Sequence, residues 1–145
     1  MRRVHRIAVM ASLLLLAAAL VGCGTSAPKK GSPEAAVQSL LELRSSLATD
    51  PAEYASLVET PMAEALATDS VSRAASQTAP IPEWKTPERT EETTATAKVT
   101  VVWKSSKEFA NWAKETVFDL RKTGGRWIVI DANAVTGSSD TTAAP

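Results

Sequence analysis

Hydrophobic and polar positions fall into three successive patterns along the chain. The first is an apolar run, Ile7 to Val21, broken only by Ser12 and led by Arg2, Arg3 and Arg6. A membrane span needs about 20 apolar residues, whereas the core of a signal peptide is shorter and ends in small residues. With Gly22 immediately before Cys23, the run predicts an export signal over 1–22 rather than a retained helix. Residues 24–31 (GTSAPKKG) are small and polar and read as a tether. Lys29 and Lys30 could brush acidic lipid; a solvated part of the tether is the plainer reading.

The second pattern has helical period. Ser32-Pro33-Glu34 supplies an N-cap, a first-turn proline and an acid at the positive end of the dipole. Ala36, Val37, Leu40, Leu41, Leu43, Leu47 and Ala48 then recur at three and four, which predicts a long helix with one apolar face. Asp50-Pro51-Ala52-Glu53 is a second start, with Asp50 as cap and Glu53 placed to complete a capping box. Thr60-Pro61 is a third, with Met62, Ala65 and Leu66 on one side, and the periodicity decays from Ala67. Short helices therefore follow the long one. Residues 76–87, with three prolines and Trp84, read as loop or edge, and Trp84 as the tryptophan nearest the surface.

The third pattern alternates. Ala95, Ala97, Val99, Val101 and Trp103 share one side of a strand running through 90–104. A hairpin loop at Ser105-Ser106-Lys107 leads into a return over Phe109 to Lys122, and Gly124-Gly125 leads into Arg126 to Ala132. The short connections predict an antiparallel meander of three to four strands. Its last register stays open. A two-residue turn puts Phe118, Leu120, Trp127 and Val129 on one face, whereas a three-residue loop sets Phe118 and Leu120 with Ile128 and Ile130. Because Trp127-Ile128-Val129-Ile130 is apolar on both sides, that strand is expected to be central, or to offer its outer face as a contact surface. The fold class is α+β.

Composition narrows the chemistry. The chain has 145 residues, with 16 basic, 16 acidic, one His and one Cys. Removal of residues 1–22 takes three arginines and no acid, leaving a net charge of −3. That argues against a nucleic-acid partner and against peripheral attraction to anionic lipid. His5 falls in the signal, so the remaining chain has no histidine and, apart from Cys23 at its first position, no cysteine to serve as a ligand for zinc or haem or as a nucleophile. No cofactor or metal is expected. The Gly-x-Ser-x-Gly pattern of serine hydrolases is absent.

Leu20-Val21-Gly22-Cys23 resembles the lipobox of bacterial lipoproteins. The resemblance implies that the Cys23 sulfur receives a diacylglycerol and that cleavage follows before it. With each buried methylene contributing about 0.8 kcal/mol, two chains hold where one is marginal. It implies a protein lipid-anchored on the extracytoplasmic face of the cell membrane. Gly24 after the cysteine is compatible with passage to an outer membrane in a two-membrane cell. The order of one long helix, short helices and a closing Leu120-Arg121-Lys122-Thr123-Gly124-Gly125-Arg126-Trp127-Ile128-Val129 hairpin resembles the nuclear-transport-factor-2-like, or cystatin-like, fold. That implies a domain over 32–136, with 137–145 a disordered polar tail.

Candidate site residues are few. Four tryptophans, Trp84, Trp103, Trp112 and Trp127, are many for this length: either they line a pocket between helices and sheet for a small apolar or sugar-like ligand, or Trp103 and Trp127 fill the core. Asp131 follows the apolar strand and could face the mouth of a cone, with Tyr54 or Asp119 as the only partners on offer; a solvated strand end is the plainer reading. The expectation is a non-catalytic binding or accessory module at the envelope. The alternatives are a small carboxylate-using isomerase or hydratase, or a structural subunit of an envelope complex marked by an apolar stripe on the Val117 or Ile128 face.

Overall fold

The computed structural model describes residues 26–77 and 81–135. The signal, Cys23 and the tail call at 137–145 lie outside them. Three helices pack with a four-stranded antiparallel sheet of order β1-β2-β3-β4, open at both edges and not closed into a barrel.

Helix α1 (Pro33–Ser45) starts as its sequence directs. The Ser32 hydroxyl accepts from Ala35 N at 3.2 Å, with Pro33 in the first turn and Arg44 in the last. Val37, Leu40 and Leu41 bury the face that crosses β2 and β4. Helix α2 (Pro51–Tyr54) is one turn, capped by Asp50 Oδ1 accepting from Ala52 N at 2.9 Å. The capping box expected there takes a simpler form, because Glu53 contributes its backbone N–H to Asp50 O.

Helix α3 (Thr60–Ala75) corrects the expectation of short helices after a long one. Its 16 residues outrun the 13 of α1, through the stretch where apolar periodicity decays. Its inward face is small rather than large: Ala63, Ala67 and Ser70 are buried, Met62 and Leu66 half-buried and Ala65 exposed. Small side chains let α3 approach α2 closely, and Ser70 meets the Tyr54 hydroxyl there. A face of that kind carries little hydropathy signal.

The stretch read as one strand is two. β1 (Glu88–Glu92) and β2 (Thr96–Val102) form a hairpin around Thr93, whose hydroxyl accepts from Ala95 N at 3.2 Å and Thr96 N at 2.9 Å. Ala97, Val99 and Val101 are buried as their alternation requires, while Ala95 is exposed in the turn. β3 (Glu115–Thr123) begins later than expected, because residues 103–114 form a wide connection rather than a tight hairpin. The Pro-rich segment does serve as an edge: Lys85 N donates to Val102 O and Lys104 N to Glu83 O.

β4 (Arg126–Val135) settles the open register. Gly124 and Gly125, with φ +57° and +78°, make the two-residue turn, so Leu120 pairs with Val129 and Lys122 with Trp127. Strand β4 is not central. It lies at the sheet's edge, and its exposed ladder is met by a single parallel bridge to Val58, with Val129 N donating to Leu57 O at 2.8 Å. The helices cover only the inner face, which carries Trp127 and Val129. Ile128 and Ile130 stay half-exposed.

Candidate functional site

The structure does not bring Tyr54, Trp103, Trp127 and Asp131 together. Tyr54 is fully buried in the helical layer, its hydroxyl donating to Ala48 O at 3.0 Å and lying 3.2 Å from Ser70 Oγ. Buried hydroxyls require partners, and these two satisfy it. Trp127 is buried in the same core as Val37, Leu40, Leu120 and Val129, with the Lys122 ammonium 5.4 Å from its ring. The space between helices and sheet is occupied by side chains. Trp84, expected at the surface, is half-buried, and its Nε1 donates to Gln38 Oε1 on α1 at 3.1 Å.

Asp131 is displaced by a bulge. Strict alternation from Trp127 and Val129 would turn it toward the helices, but Leu120 pairs with Val129 and Asp119 with Asp131, leaving Ile130 as the extra residue. One extra residue reverses the faces beyond it. Asp131 therefore shares the uncovered outer face with Asp119, away from Tyr54. The Asn133 Nδ2 donates to both carboxylates at 3.2 Å, and Lys98 Nζ lies 3.0 Å from Asp119. Asp119 in turn raises the Lys98 pKa through that hydrogen bond and its charge. With Glu91, Glu92 and Ile130, Lys98 and the two aspartates line a shallow trough of about 260 Å³.

Trp103 borders an accessible cleft walled by other aromatic side chains. Its own ring is buried, and Nε1 donates to Thr116 Oγ1 at 2.9 Å. Beyond it, the connection folds back so that Trp112 meets Trp103 edge-on at 5.7 Å between ring centres and Phe109 at 5.5 Å. The Arg73 guanidinium from the end of α3 lies 5.8 Å over the Trp112 ring, which joins the connection to the helical layer. Trp103, Phe109 and Trp112 line a cleft of about 370 Å³, rimmed by Lys104, Ser105, Lys114 and Glu115. Such a mixture of aromatic walls and a few polar groups suits a small ligand with an apolar face.

No family model, no curated protein and no solved structure matches this chain. Among the described residues, no helix is long and apolar enough to cross a membrane, and no cluster of three or more His, Cys, Asp or Glu is placed to hold a metal ion.

Phe109 is the cleft residue that sequence reasoning does not single out, and the strand expected over Phe109 to Lys122 places Trp112 in the sheet rather than in the connection that forms the cleft. A signal was present. Lys104 to Lys114 has the polar and small composition of a loop, and two aromatics within it need a reason to be there.

Proposed function

We propose that the chain is a bacterial lipoprotein, anchored through Cys23 on the extracytoplasmic face of the cell membrane, whose cystatin-like domain is a non-catalytic binding module. The observation that carries the binding role is the contrast between a filled interior and the aromatic cleft of Trp103, Phe109 and Trp112. The small α+β architecture, with helices on one face of an antiparallel meander, supports the fold reading. The ligand is a small molecule with an apolar face, and Lys114 and Ser105 at the rim suit a polar or anionic substituent on it.

Titration of the chain with anilinonaphthalene sulfonate, an apolar ring system bearing an anion, tests the cleft. One saturable site that is lost in Trp112→Ala, with an unchanged far-ultraviolet spectrum, is the expected result; a wild-type chain without a saturable site overturns it. Mass spectrometry and fractionation of cells expressing the chain and its Cys23→Ala variant test the anchor. The wild type is expected in the membrane with a diacylglyceryl adduct, and the variant is not.

A second reading, a structural subunit of an envelope complex, draws on the outer face of the sheet. Val102, Val117, Ile128 and Ile130 are half-exposed there and Val135 is 40% exposed, with no helix over them among the described residues. Cross-linking from Val117→Cys in intact envelopes distinguishes this reading by giving a discrete heavier species. The carboxylate-enzyme alternative calls for a buried acid beside Tyr54. Asp131 and Tyr54 lie on opposite sides of the sheet.

A further inference from the structure

The basic side chains of this domain are not all used alike. Arg44, Arg73, Arg89, Lys98, Lys104 and Arg121 each pair with a carboxylate. Lys29, Lys30, Lys85, Lys107, Lys114 and Arg126 make no ion pair among the described residues, and Lys122 rests on the Trp127 ring. Lys29, Lys30, Lys122 and Arg126 are exposed and gather at one end of the molecule, whereas Lys107 and Lys114 lie on the aromatic connection, each followed directly by a glutamate, Glu108 and Glu115. The segment Lys30-Gly31-Ser32, which leads into α1, forms one wall of a groove of about 240 Å³ whose other wall includes Gly125, Arg126 and Trp127 from the β3–β4 turn. No acid lines that groove. Next to it, Glu59 is taken by Arg121. On the β1 side, Glu34 and Glu92 both pair with Arg89, and Glu91 acts on Lys98.

This is also the end from which the chain leads back toward Cys23. Seven residues separate Cys23 from Lys30 in the sequence, and an extended chain covers at most about 3.6 Å per residue, so the separation is at most about 25 Å. If Cys23 carries the lipid, the groove cannot be far from the headgroups. Resting on that anchor reading, we propose that the β3–β4 turn and the Lys29–Lys30 segment form a membrane-facing surface, in which Lys29, Lys30, Lys122 and Arg126 contact anionic lipid headgroups and fix the domain's orientation. The net charge of the domain opposes attraction at a distance. Within a Debye length, about 8 Å at physiological salt, the local charges govern instead. The anchor brings the surface into that range, and four cations beside a groove that no acid lines then select which side faces down, whereas Glu108 and Glu115 accompany Lys107 and Lys114 at the other end. The aromatic connection, at the opposite end of the antiparallel meander, is thereby held away from the bilayer and open to ligand.

The test uses the full chain, lipidated in cells and reconstituted into vesicles of phosphatidylcholine with or without phosphatidylglycerol. Cys23 is the only native cysteine, so Thr123→Cys at the turn and Ser106→Cys on the opposite connection each accept one fluorophore, read against headgroup spin-labelled lipid. The expected result is quenching at 123 at least threefold stronger than at 106 in phosphatidylglycerol vesicles, with the ratio falling toward one in 0.5 M salt, in neutral vesicles and in K29Q/K30Q/K122Q/R126Q. Equal quenching of the two labels, or a preference indifferent to salt, lipid charge and the four substitutions, overturns the orientation while leaving the anchor intact. Cys23 found without an acyl adduct by mass spectrometry overturns the anchor reading and this surface with it. The salt series reads wild-type residues at all four positions, so it stands even if the fourfold variant folds poorly.

Discussion

The two faces of the β-sheet are built from the same strands and share almost nothing in how they are held. On the inner face, Ala97, Val99 and Val101 of β2 and Phe118 and Leu120 of β3 meet Val37, Leu40 and Leu41 of α1 in one buried core. On the outer face, the alternate residues Lys98, Thr100, Val102, Val117 and Asp119 have no covering layer. They depend on cross-strand neighbours: Thr100 opposite Val117, and Lys98 opposite Asp119 in an ion pair. The inner face carries the stability, because removal of apolar area from water scales with what is covered. The outer face and the loops are left to vary, and binding surfaces must be sought there.

Truncation at equivalent depths on the two faces is the strongest way to break that contrast. Leu120→Ala is expected to lower unfolding free energy by about 2–5 kcal/mol, since it leaves a cavity among side chains that cannot collapse freely. Ile128→Ala on the outer face is expected to cost under ~1.5 kcal/mol, because water already reaches it. Urea denaturation of both variants measures the difference. Comparable losses would mean that something covers the outer face.

Within the helical layer, Tyr54→Phe is expected to cost about 1–3 kcal/mol, because it strands the buried Ala48 carbonyl and removes the partner of Ser70 while preserving the ring. Double-mutant analysis with Ser70→Ala would show coupling. Additive losses would show that the hydroxyls act separately. At the β3–β4 turn, Gly124→Ala is expected to cost about 1–2 kcal/mol, since φ of +57° is unfavourable for a residue with a Cβ even where open space surrounds it.

The smallest expected effect comes from Asp69. Burial pushes its carboxyl up, but the hydrogen bonds and charges of Arg73 and Arg44 outweigh burial and hold the pKa below its ordinary value. A depressed folded pKa gives stability that is present above the unfolded value and is lost as pH falls through the folded one. Asp69→Asn should therefore cost about 0.5–1 kcal/mol at pH 6, discounted for a side chain that is 38% exposed. The gap between the two proteins should close progressively below about pH 4. A gap that persists at pH 2 would assign the effect to packing.

The cleft and the core reverse what aromatic content alone suggests. Trp127 is packing, and Trp103 packs while bordering a cleft shaped by two aromatics from the connection. Number and type of aromatic residues were readable in the chain. Their division between interior and surface depends on where residues 103–114 turn back, which no local periodicity encodes.

What the sequence determined by itself is local. Ser32-Pro33 and Asp50-Pro51 start helices because a side-chain oxygen and a proline act within one turn, whatever the surroundings. The alternation in 97–101 chose the inner face of β2, and Gly124-Gly125 allowed a tight turn because both adopt positive φ. Tertiary structure decided the rest. Helix α3 persists past Ala67 because Ala63, Ala67 and Ser70 fit closely against α2, a benefit that exists only once Tyr54 is in place. Asp131 faces outward because pairing with β3 forces one extra residue at Ile130, and a bulge is a property of two strands rather than one. The edge position of β4 likewise follows from strand order, since a sequence apolar on both sides is equally consistent with burial on two faces or with one half-exposed face.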